Sequence, residues 1–255
     1  TGVNQRLLIA DEVGLGKTIE AGLIWSELEF RSPLESVLVV CPSALKRKWQ
    51  AEMKNRFDRE LKDLSSAVLE EWIAGLEKGR PDKITAVASL EGLRTSKHLD
   101  KLVELSPRFD LVIVDEAHYL RNAGNRSNEL GRHLSDWADA MIFLSATPLN
   151  LGTSDLFNLL SLLDDVQFFD KNTFDEQIEP NMHLNHVARR LSELNINPRE
   201  LLPILELIED TAMGDSITSR SDYERLHELL DQDSLSQKNI SDAKRHLGEL
   251  NSLAS

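Results

Sequence analysis

The segment that most constrains the fold is an apolar run that enters a glycine-bearing turn at residues 7–18 and continues into a helical pattern. Gly14 and Gly16 in the turn can adopt backbone angles closed to other residues, so that backbone N–H groups can face a phosphate. A helix is predicted from Thr18 to about Phe30, and its first turn adds unpaired N–H groups and a partial positive charge. A strand, a glycine-bearing turn and a helix in this order are the context that a phosphate-binding loop requires.

The side chains at the end of the turn have the chemistry to bind a nucleoside triphosphate with Mg²⁺. Lys17 would reach the β- and γ-phosphates, and the Thr18 hydroxyl would be a Mg²⁺ ligand. The usual pattern has a glycine where this chain has Asp11, so a glycine-rich turn with a solvated lysine stays open as the alternative. The predicted nucleotide-binding residues are Asp11, Gly14, Leu15, Gly16, Lys17 and Thr18.

Composition and charge limit the class of protein. The 255 residues are 41% hydrophobic, and no apolar run is long enough to cross a bilayer, so a core but no membrane segment is expected. The single cysteine, Cys41, excludes an internal disulfide and predicts a cytoplasmic protein with a buried, unreactive thiol. Residues 1–150 carry a net charge of −3 and residues 151–255 carry −11. We therefore predict a domain over residues 1–165 and an acidic helical extension over residues 166–255.

Short apolar runs alternate with helical patterns through the first 150 residues. Several runs are apolar at consecutive positions, as in strands buried on both faces of a parallel sheet. This alternation predicts a doubly wound α/β domain, in which ligands bind beyond the carboxyl ends of the strands. The predicted strands are Leu7–Asp11, Val37–Cys41, Ile84–Ser89, Leu111–Asp115 and Met141–Ser145, and residues 60–83 are predicted as helix followed by loop.

Two adjacent carboxylates end the fourth of these strands. In phosphoryl transfer one carboxylate holds Mg²⁺ and another orients the attacking water or takes its proton, roles that suit Asp115 and Glu116. Adjacent acids at the end of a buried strand are costly unless a metal or hydrogen bonds engage them. His118 either links this site to a neighbouring segment or caps the turn.

The strand Val37–Cys41 leads into a basic helix through Pro42 and Ser43, with Ser43 predicted as its N-cap. This helix start and Lys46 can bind a nucleic-acid phosphate, and Ser89 after the next strand can form a second backbone contact. The alternatives are a solvated basic face with Trp49 packed inward and a plain strand–helix turn.

The last predicted strand of the domain ends in small hydroxyl residues. Ser145 and Thr147 can hydrogen-bond the acidic motif or its water and sense the γ-phosphate, although an ordinary strand end remains the alternative. Beyond them the spacing of apolar residues predicts helices only, at Thr153–Leu163, Asp170–Glu179, Met182–Leu194, Pro198–Asp210, Asp222–Leu230 and Ser241–Leu253.

Together these motifs resemble the first RecA-like motor lobe of superfamily-2 helicase-like ATPases. The similarity is greatest to the SNF2 family, in the bacterial branch that includes the RNA-polymerase-recycling ATPase. An acid at the Asp11 position is usual in that family, which removes the reservation about the loop. The stretches that carry the resemblance are residues 11–22 (motif I), 41–43 with Trp49 (Ia), 88–90 (Ib), 115–118 (II) and 145–148 (III).

The resemblance implies an ATP- and Mg²⁺-dependent motor that moves along duplex DNA and displaces or remodels bound proteins. It gives Lys17, Thr18, Asp115 and Glu116 the nucleotide roles already derived. It gives Pro42, Ser43 and Ser89 contacts with nucleic acid, and Ser145 and Thr147 the coupling of ATP state to that grip.

The chain also departs from the family pattern. Asn150-Leu151 stands where members often have Gln-Asn, and the adenine-reading helix before motif I and the second RecA-like lobe are absent. A fragment of a longer protein is expected. An RNA-directed helicase and a nucleotide-switch binding module stay open as alternatives. The acidic half is either a solvated surface or a functional one. As a functional surface it would compete with DNA for the basic helix or bind a basic partner.

Overall fold

The computed structural model of this chain describes residues 5–10, 16–80, 83–145, 153–193 and 197–251. The chain forms two compact units, Thr1–Phe169 and Asp170–Ser255. The first unit is an α/β domain, and the described part of the second unit is helical.

The first unit is built on a parallel sheet with the strand order β1-β6-β5-β2-β4-β3. Strands that are consecutive in sequence are joined by crossover connections that contain helices, because parallel strands need a long connection. This is the predicted doubly wound, RecA-like fold, which is confirmed. The described strands are β1 (Arg6–Ala10), β2 (Val37–Cys41), β3 (Lys62–Asp63), β4 (Thr85–Ser89), β5 (Phe109–Val114) and β6 (Ala138–Ser145).

Helices cover both faces of the sheet because the central strands are apolar at every position. All five residues of β2 are buried, and the odd and even residues face opposite layers. The first two helices pack on the Val37 and Val39 face, and the next five pack on the Leu38 and Val40 face. These helices are α1 (Lys17–Arg31), α2 (Lys46–Phe57), α3 (Ser66–Leu76), α4 (Leu90–Arg94), α5 (Leu99–Leu105), α6 (Arg126–Trp137) and α7 (Thr153–Leu163).

The second unit has its own apolar core, formed mainly by leucines at helical spacing. Ser236 caps the last helix by accepting a hydrogen bond from the N–H of Asn239. The helices are α8 (Lys171–Arg190), α9 (Leu202–Glu206), α10 (Gly214–Thr218), α11 (Ser221–Leu230) and α12 (Gln237–Leu250), with 3₁₀ turns at Pro198–Leu201 and Leu207–Asp210.

Three local predictions were wrong. Residues 60–83 contain β3 before α3, which the short polar pair Lys62–Asp63 does not reveal. The separate helices predicted at Asp170–Glu179 and Met182–Leu194 form one helix, α8, through the buried Pro180. Proline removes one helical hydrogen bond, and burial of one face of α8 outweighs that loss. Ser43 does not cap α2, because a 3₁₀ turn at Ser43–Leu45 separates it from the helix.

Candidate nucleotide and nucleic-acid site

The first helix begins immediately after a glycine in the left-handed region. Gly16 has φ 96°, a conformation that favours glycine, as predicted for this position. Its carbonyl accepts hydrogen bonds from the N–H groups of Ile19 and Glu20, and Lys17 and Thr18 form the first two positions of α1. Asp11, Gly14 and Leu15 of the predicted loop lie outside the described residues.

Three strands bring the predicted nucleotide residues to one edge of the sheet. In the register of the sheet, Ala10 at the end of β1 pairs with Ser145 at the end of β6, and Val114 at the end of β5 pairs with Phe143. Strands in a sheet are about 4.8 Å apart, so the ends of β1 and β5 lie roughly 10 Å from each other. The ends of β1 and β5 therefore flank the end of β6.

Asp115 is nearly buried, with 8% of its surface exposed, and both of its carboxylate oxygens accept hydrogen bonds. The indole Nε1–H of Trp49 donates to Oδ2 at 2.8 Å, and the backbone N–H of Glu116 donates to Oδ1 at 2.9 Å. Its own N–H donates to the carbonyl of Val40 on the neighbouring strand at 2.8 Å. The carboxylate at the end of β5 is thus held in one orientation by three elements of the domain.

Glu116 adopts a backbone conformation that is uncommon for a residue with a side chain. Its φ is 52° and its ψ is 44°, in the left-handed region, which turns the chain sharply after β5. Such strain is found disproportionately at functional sites, where surrounding contacts hold it. The backbone N–H of Glu116 in this turn donates a hydrogen bond to Asp115 Oδ1.

His118 lies against Glu116, and the two roles predicted for it stay predictions. Its Nδ1 is 3.1 Å from Glu116 Oε2, but the geometry does not make a hydrogen bond. The ring of His118 also contacts Tyr119, with centroids 4.4 Å apart. The imidazole therefore packs between the Glu116 carboxylate and the Tyr119 ring.

Ser145 is completely buried at the end of β6, and its Oγ has no hydrogen-bond partner within the part of the chain that the structure describes. A buried hydroxyl without a partner is costly, and it occurs here between the ends of β1 and β5. A hydroxyl at this position is available for a water or a ligand oxygen. Thr147, the second predicted coupling residue, lies outside the described residues.

The oxygen-rich set at this edge fits Mg²⁺ in its chemistry. Mg²⁺ prefers oxygen ligands and is usually bound by one or two carboxylates together with substrate phosphates. Asp115 offers a fixed carboxylate, Thr18 a hydroxyl near the start of α1, and Ser145 an unsatisfied hydroxyl between them. No group of three or more His, Cys, Asp or Glu suited to a metal occurs among the described residues.

The ends of β2 and β4, where Cys41 pairs with Ser89, lie further along the same carboxyl edge of the sheet. The Ser89 hydroxyl caps α4 by accepting a hydrogen bond from the N–H of Gly92 at 2.9 Å. The N–H of Ser43, which follows Pro42, donates to Glu91 Oε2 at 3.1 Å. Thus the Ser43 N–H, which the sequence assigns to a phosphate contact, is hydrogen-bonded to a carboxylate.

The side chain of Lys46 is paired in the same way. It forms an ion pair and a hydrogen bond with Asp63 on β3 and is only 18% exposed. Glu91 and Asp63 therefore interact with two groups, the Ser43 N–H and the Lys46 side chain, that were predicted to bind phosphate. Sequence reasoning missed both acids, since no motif contains Asp63 and Glu91 was read only as part of a turn.

Cys41 is buried beside this edge, as predicted. Burial and the negative charge of Asp115 raise the pKa of the Cys41 thiol to about 12. Such a thiol is protonated at neutral pH, and it is unreactive because the thiolate is the nucleophilic form. Cys41 is therefore a core residue.

A wide cleft lies at the opposite end of the sheet, beside the starts of β1 and β6. It has a volume of about 1060 Å³ and is lined by residues such as Arg6, Ala138 and Phe157. None of the predicted site residues lines it, so its size does not make it the nucleotide site. Among the described helices, none is both long and apolar enough to cross a membrane.

Comparison with known proteins identifies similar chains. The family model of the SNF2-related domain matches residues 2–237. The chain is 34% identical over 223 residues to RNA polymerase-associated protein RapA of Actinobacillus pleuropneumoniae serotype 3 (strain JL03). That alignment covers 82% of this chain and 22% of RapA, so the chain spans about a fifth of its relative's length.

The fold is also similar to a solved structure, the Sulfolobus solfataricus SWI2/SNF2 ATPase core in complex with dsDNA. The TM-score is 0.52 at 14% sequence identity, and the match covers 89% of this chain and 59% of the solved chain. At that identity the likeness concerns the fold.

Proposed function

This chain belongs to the family of SNF2-related domains, and we propose from that membership that it is the first, ATP-binding lobe of a motor acting on double-stranded DNA. Membership makes it part of a family of helicase-like ATPases. The finer proposal is that ATP hydrolysis moves the motor along the duplex, where it displaces or remodels bound proteins.

The observation that carries this proposal is the geometry of Asp115 and Glu116. Asp115 is fixed by two hydrogen bonds, and Glu116 has a left-handed backbone conformation. Both follow β5, and the Lys17-Thr18 helix start follows β1, which lies two strands away in the sheet. Phosphoryl transfer needs a metal-holding acid, a water-orienting acid and a lysine near the phosphates, and in the proposal Asp115, Glu116 and Lys17 take these roles.

In the proposed mechanism each residue has one task. Lys17 and the N–H groups of the loop bind the β- and γ-phosphates. Thr18 and Asp115 would hold Mg²⁺, which would supply positive charge to neutralise the phosphates. Glu116 orients the attacking water and accepts its proton as the bond between the γ-phosphorus and the ADP oxygen breaks. Asp11, Gly14, Leu15 and Gly16 complete the proposed nucleotide contacts.

Duplex DNA is proposed to bind at the carboxyl ends of β2 and β4. The solved SWI2/SNF2 core to which the fold is similar is described in complex with dsDNA, which supports this choice over RNA. Pro42, Ser43, Lys46 and Ser89 are the proposed contacts with the DNA backbone. His118, Ser145 and Thr147 are the proposed coupling residues between that grip and the nucleotide.

A complete motor requires a second RecA-like lobe. In the proposal that lobe supplies arginines that stabilise the transition state, a contribution of about 10³–10⁵ in rate. The relative RapA is more than four times as long as the segment matched here, which leaves ample chain for such a lobe. A protein client is proposed as well, since the relative is described as RNA polymerase-associated.

We expect duplex DNA to stimulate ATP hydrolysis by the complete natural protein and Lys17→Ala to abolish the stimulated rate, because Lys17 is proposed to bind the phosphates. The isolated 255-residue chain should hydrolyse ATP slowly with or without DNA, since the transition-state arginines would be missing. Steady-state phosphate release with duplex DNA, single-stranded RNA and no nucleic acid measures both expectations.

The other outcomes assign the function differently. Stimulation by RNA but not by duplex DNA would identify an RNA-directed helicase. No hydrolysis under any condition would favour a nucleotide switch without motor activity. A DNA-stimulated rate typical of a complete motor from the isolated chain would contradict the proposed need for a second lobe.

Replacing Glu91 with Gln should strengthen duplex DNA binding at low salt. Glu91 accepts a hydrogen bond from the N–H of Ser43, and its charge repels a phosphate that approaches the same N–H. Removing one exposed charge of this kind is worth about 0.5–1 kcal/mol, roughly a two- to fivefold gain in affinity. Fluorescence anisotropy with a labelled duplex at several salt concentrations measures the change.

Glu35→Gln is the matched control for this variant. Glu35 is an exposed acid with the same charge as Glu91, and it is ion-paired with Lys83. It precedes β2 and therefore lies at the opposite end of that strand. It should leave DNA affinity unchanged. Equal affinities for Glu91→Gln, Glu35→Gln and the parent chain would remove the end of β2 from the proposed DNA contact.

A further inference from the structure

One buried hydrogen bond joins the carboxylate after β5 to the helix that follows β2. The indole Nε1–H of Trp49 on α2 donates to Asp115 Oδ2 after β5 at 2.8 Å, across 66 residues of sequence. Trp49 is 1% exposed and Asp115 8%, so water does not compete strongly for this bond. A hydrogen bond to a charged, desolvated acceptor is stronger and shorter than one between neutral groups.

The helix that carries Trp49 begins at the proposed DNA contact. Lys46 is its first residue, and Trp49 lies one turn further along, so the two positions are neighbours on the helix. Trp49 also packs with Met53 of the same helix and with Trp25 of α1 in the core on that face of the sheet. A shift of the helix start is therefore transmitted to the indole, because a close-packed core does not absorb it.

The bond also limits how Asp115 can use its oxygens. Each carboxylate oxygen has about two lone-pair sites, and one site on each is taken by the donors Trp49 and Glu116. The remaining sites face away from these donors, so the carboxylate presents one orientation to a cation. Partners that orient a metal ligand in this way commonly determine its affinity for the metal.

We infer that Trp49 is a positioning residue that orients Asp115 for Mg²⁺. We also infer that it connects this carboxylate to the proposed DNA contact at the ends of β2 and β4. The inference rests on the proposed function, since it takes Asp115 as the carboxylate that holds Mg²⁺ with the nucleotide. Trp49 itself touches neither the nucleotide nor the ion. Its indole acts through the carboxylate.

The chain offers a matched control for a Trp→Phe substitution. Trp25 on α1 is 2% exposed and belongs to the same core, but its Nε1 has no hydrogen-bond partner among the described residues. Both Trp→Phe substitutions remove the same atoms from a buried site. Only Trp49→Phe also removes a hydrogen bond to a carboxylate.

The experiment compares ATP affinity with Mg²⁺ and with EDTA for the complete protein and the two variants. We expect Trp49→Phe to weaken binding in Mg²⁺ by about tenfold and to leave binding in EDTA unchanged. Trp25→Phe should leave the ratio of the two affinities at the parent value. If Trp49→Phe preserves that ratio, or weakens binding equally in both conditions, the inference is overturned.

Two further measurements distinguish a positioning role from loss of packing. In the nucleotide-free chain, the indole ¹H–¹⁵N resonance of Trp49 should move in Asp115→Asn, and the resonance of Trp25 should not. An unmoved Trp49 resonance would overturn the contact itself. With saturating Mg²⁺ and ATP, Trp49→Phe should reduce the stimulation of ATP hydrolysis by duplex DNA more than it reduces the basal rate. A packing defect would lower both rates equally, and that result would overturn the link between Asp115 and the proposed DNA contact.

Failure of this inference and failure of the proposed function give different results. If the parent protein binds ATP equally well in Mg²⁺ and EDTA, the metal role of Asp115 is wrong, and the inference falls with it. If the parent protein depends on Mg²⁺ but Trp49→Phe behaves like Trp25→Phe, the proposed function stands and the inference alone is wrong.

Discussion

Replacing Glu116 with Gln should lower the rate of ATP hydrolysis by a factor of about 10²–10⁴ while leaving ATP binding intact. Glutamine has the size and shape of glutamate but cannot take a proton from the attacking water. It can occupy the left-handed turn at φ 52° with no more strain than the native side chain. Single-turnover hydrolysis in the complete natural protein, together with equilibrium binding of ATP and Mg²⁺, measures the two effects separately.

Lys17→Ala is the comparison that identifies the step. Lysine at the start of α1 is proposed to bind the phosphates, so its loss should weaken ATP binding as well as hydrolysis. If Glu116→Gln hydrolyses ATP at the parent rate, Glu116 is not the residue that activates the water. If this variant loses hydrolysis but works normally in its biological role, the nucleotide acts as a switch rather than as the fuel of a motor.

Replacing Gly214 with Ala should destabilise the second unit by about 1–3 kcal/mol. An added Cβ would lie 2.5 Å from the carbonyl oxygen of Glu209 and 2.7 Å from that of Ile208. Backbone atoms cannot rotate away as the end of a long side chain can, so the turn between residues 207 and 214 must move. Tyr223, whose hydroxyl lies 3.3 Å from Glu209 Oε1, would lose that contact as the turn shifts.

The same substitution at Gly248 should have the opposite effect. Gly248 lies on an exposed part of α12, and nothing lies within 4 Å of an added Cβ. Alanine is favoured over glycine in helices by about 0.5–1 kcal/mol, so Gly248→Ala should be neutral or stabilising. Hydrogen exchange measured by mass spectrometry over residues 197–251 resolves the two variants, and equal protection in both would contradict the close approach at Gly214.

Local patterns in the sequence were sufficient for the strands that carry the site. β2 lies where the apolar run Val37–Cys41 predicted it, and β4, β5 and β6 end within one residue of their predicted ends. The middle of each of these strands is buried on both faces, so the residues there are apolar and the run itself is visible. The two-residue strand β3 has no such run, because both of its side chains are exposed.

Predictions of helix boundaries failed where tertiary packing overrides local preference. Pro180 predicts a break, yet α8 continues through it because the surrounding residues are buried along one face. Ser43 is a residue type that commonly caps helices, yet a 3₁₀ turn separates it from α2, and its N–H donates to Glu91, 48 residues away.

The sequence by itself determined the chemistry of the site: a lysine and a threonine at a helix start, and two acids after a buried strand. These are local patterns, and each needs only a few consecutive residues. The tertiary structure alone decided which groups meet: Trp49 with Asp115 across 66 residues, and Ser43 with Glu91 across 48. Such contacts arise from the strand order of the sheet, which places β5 beside β2 and β2 beside β4, and no local pattern encodes that order.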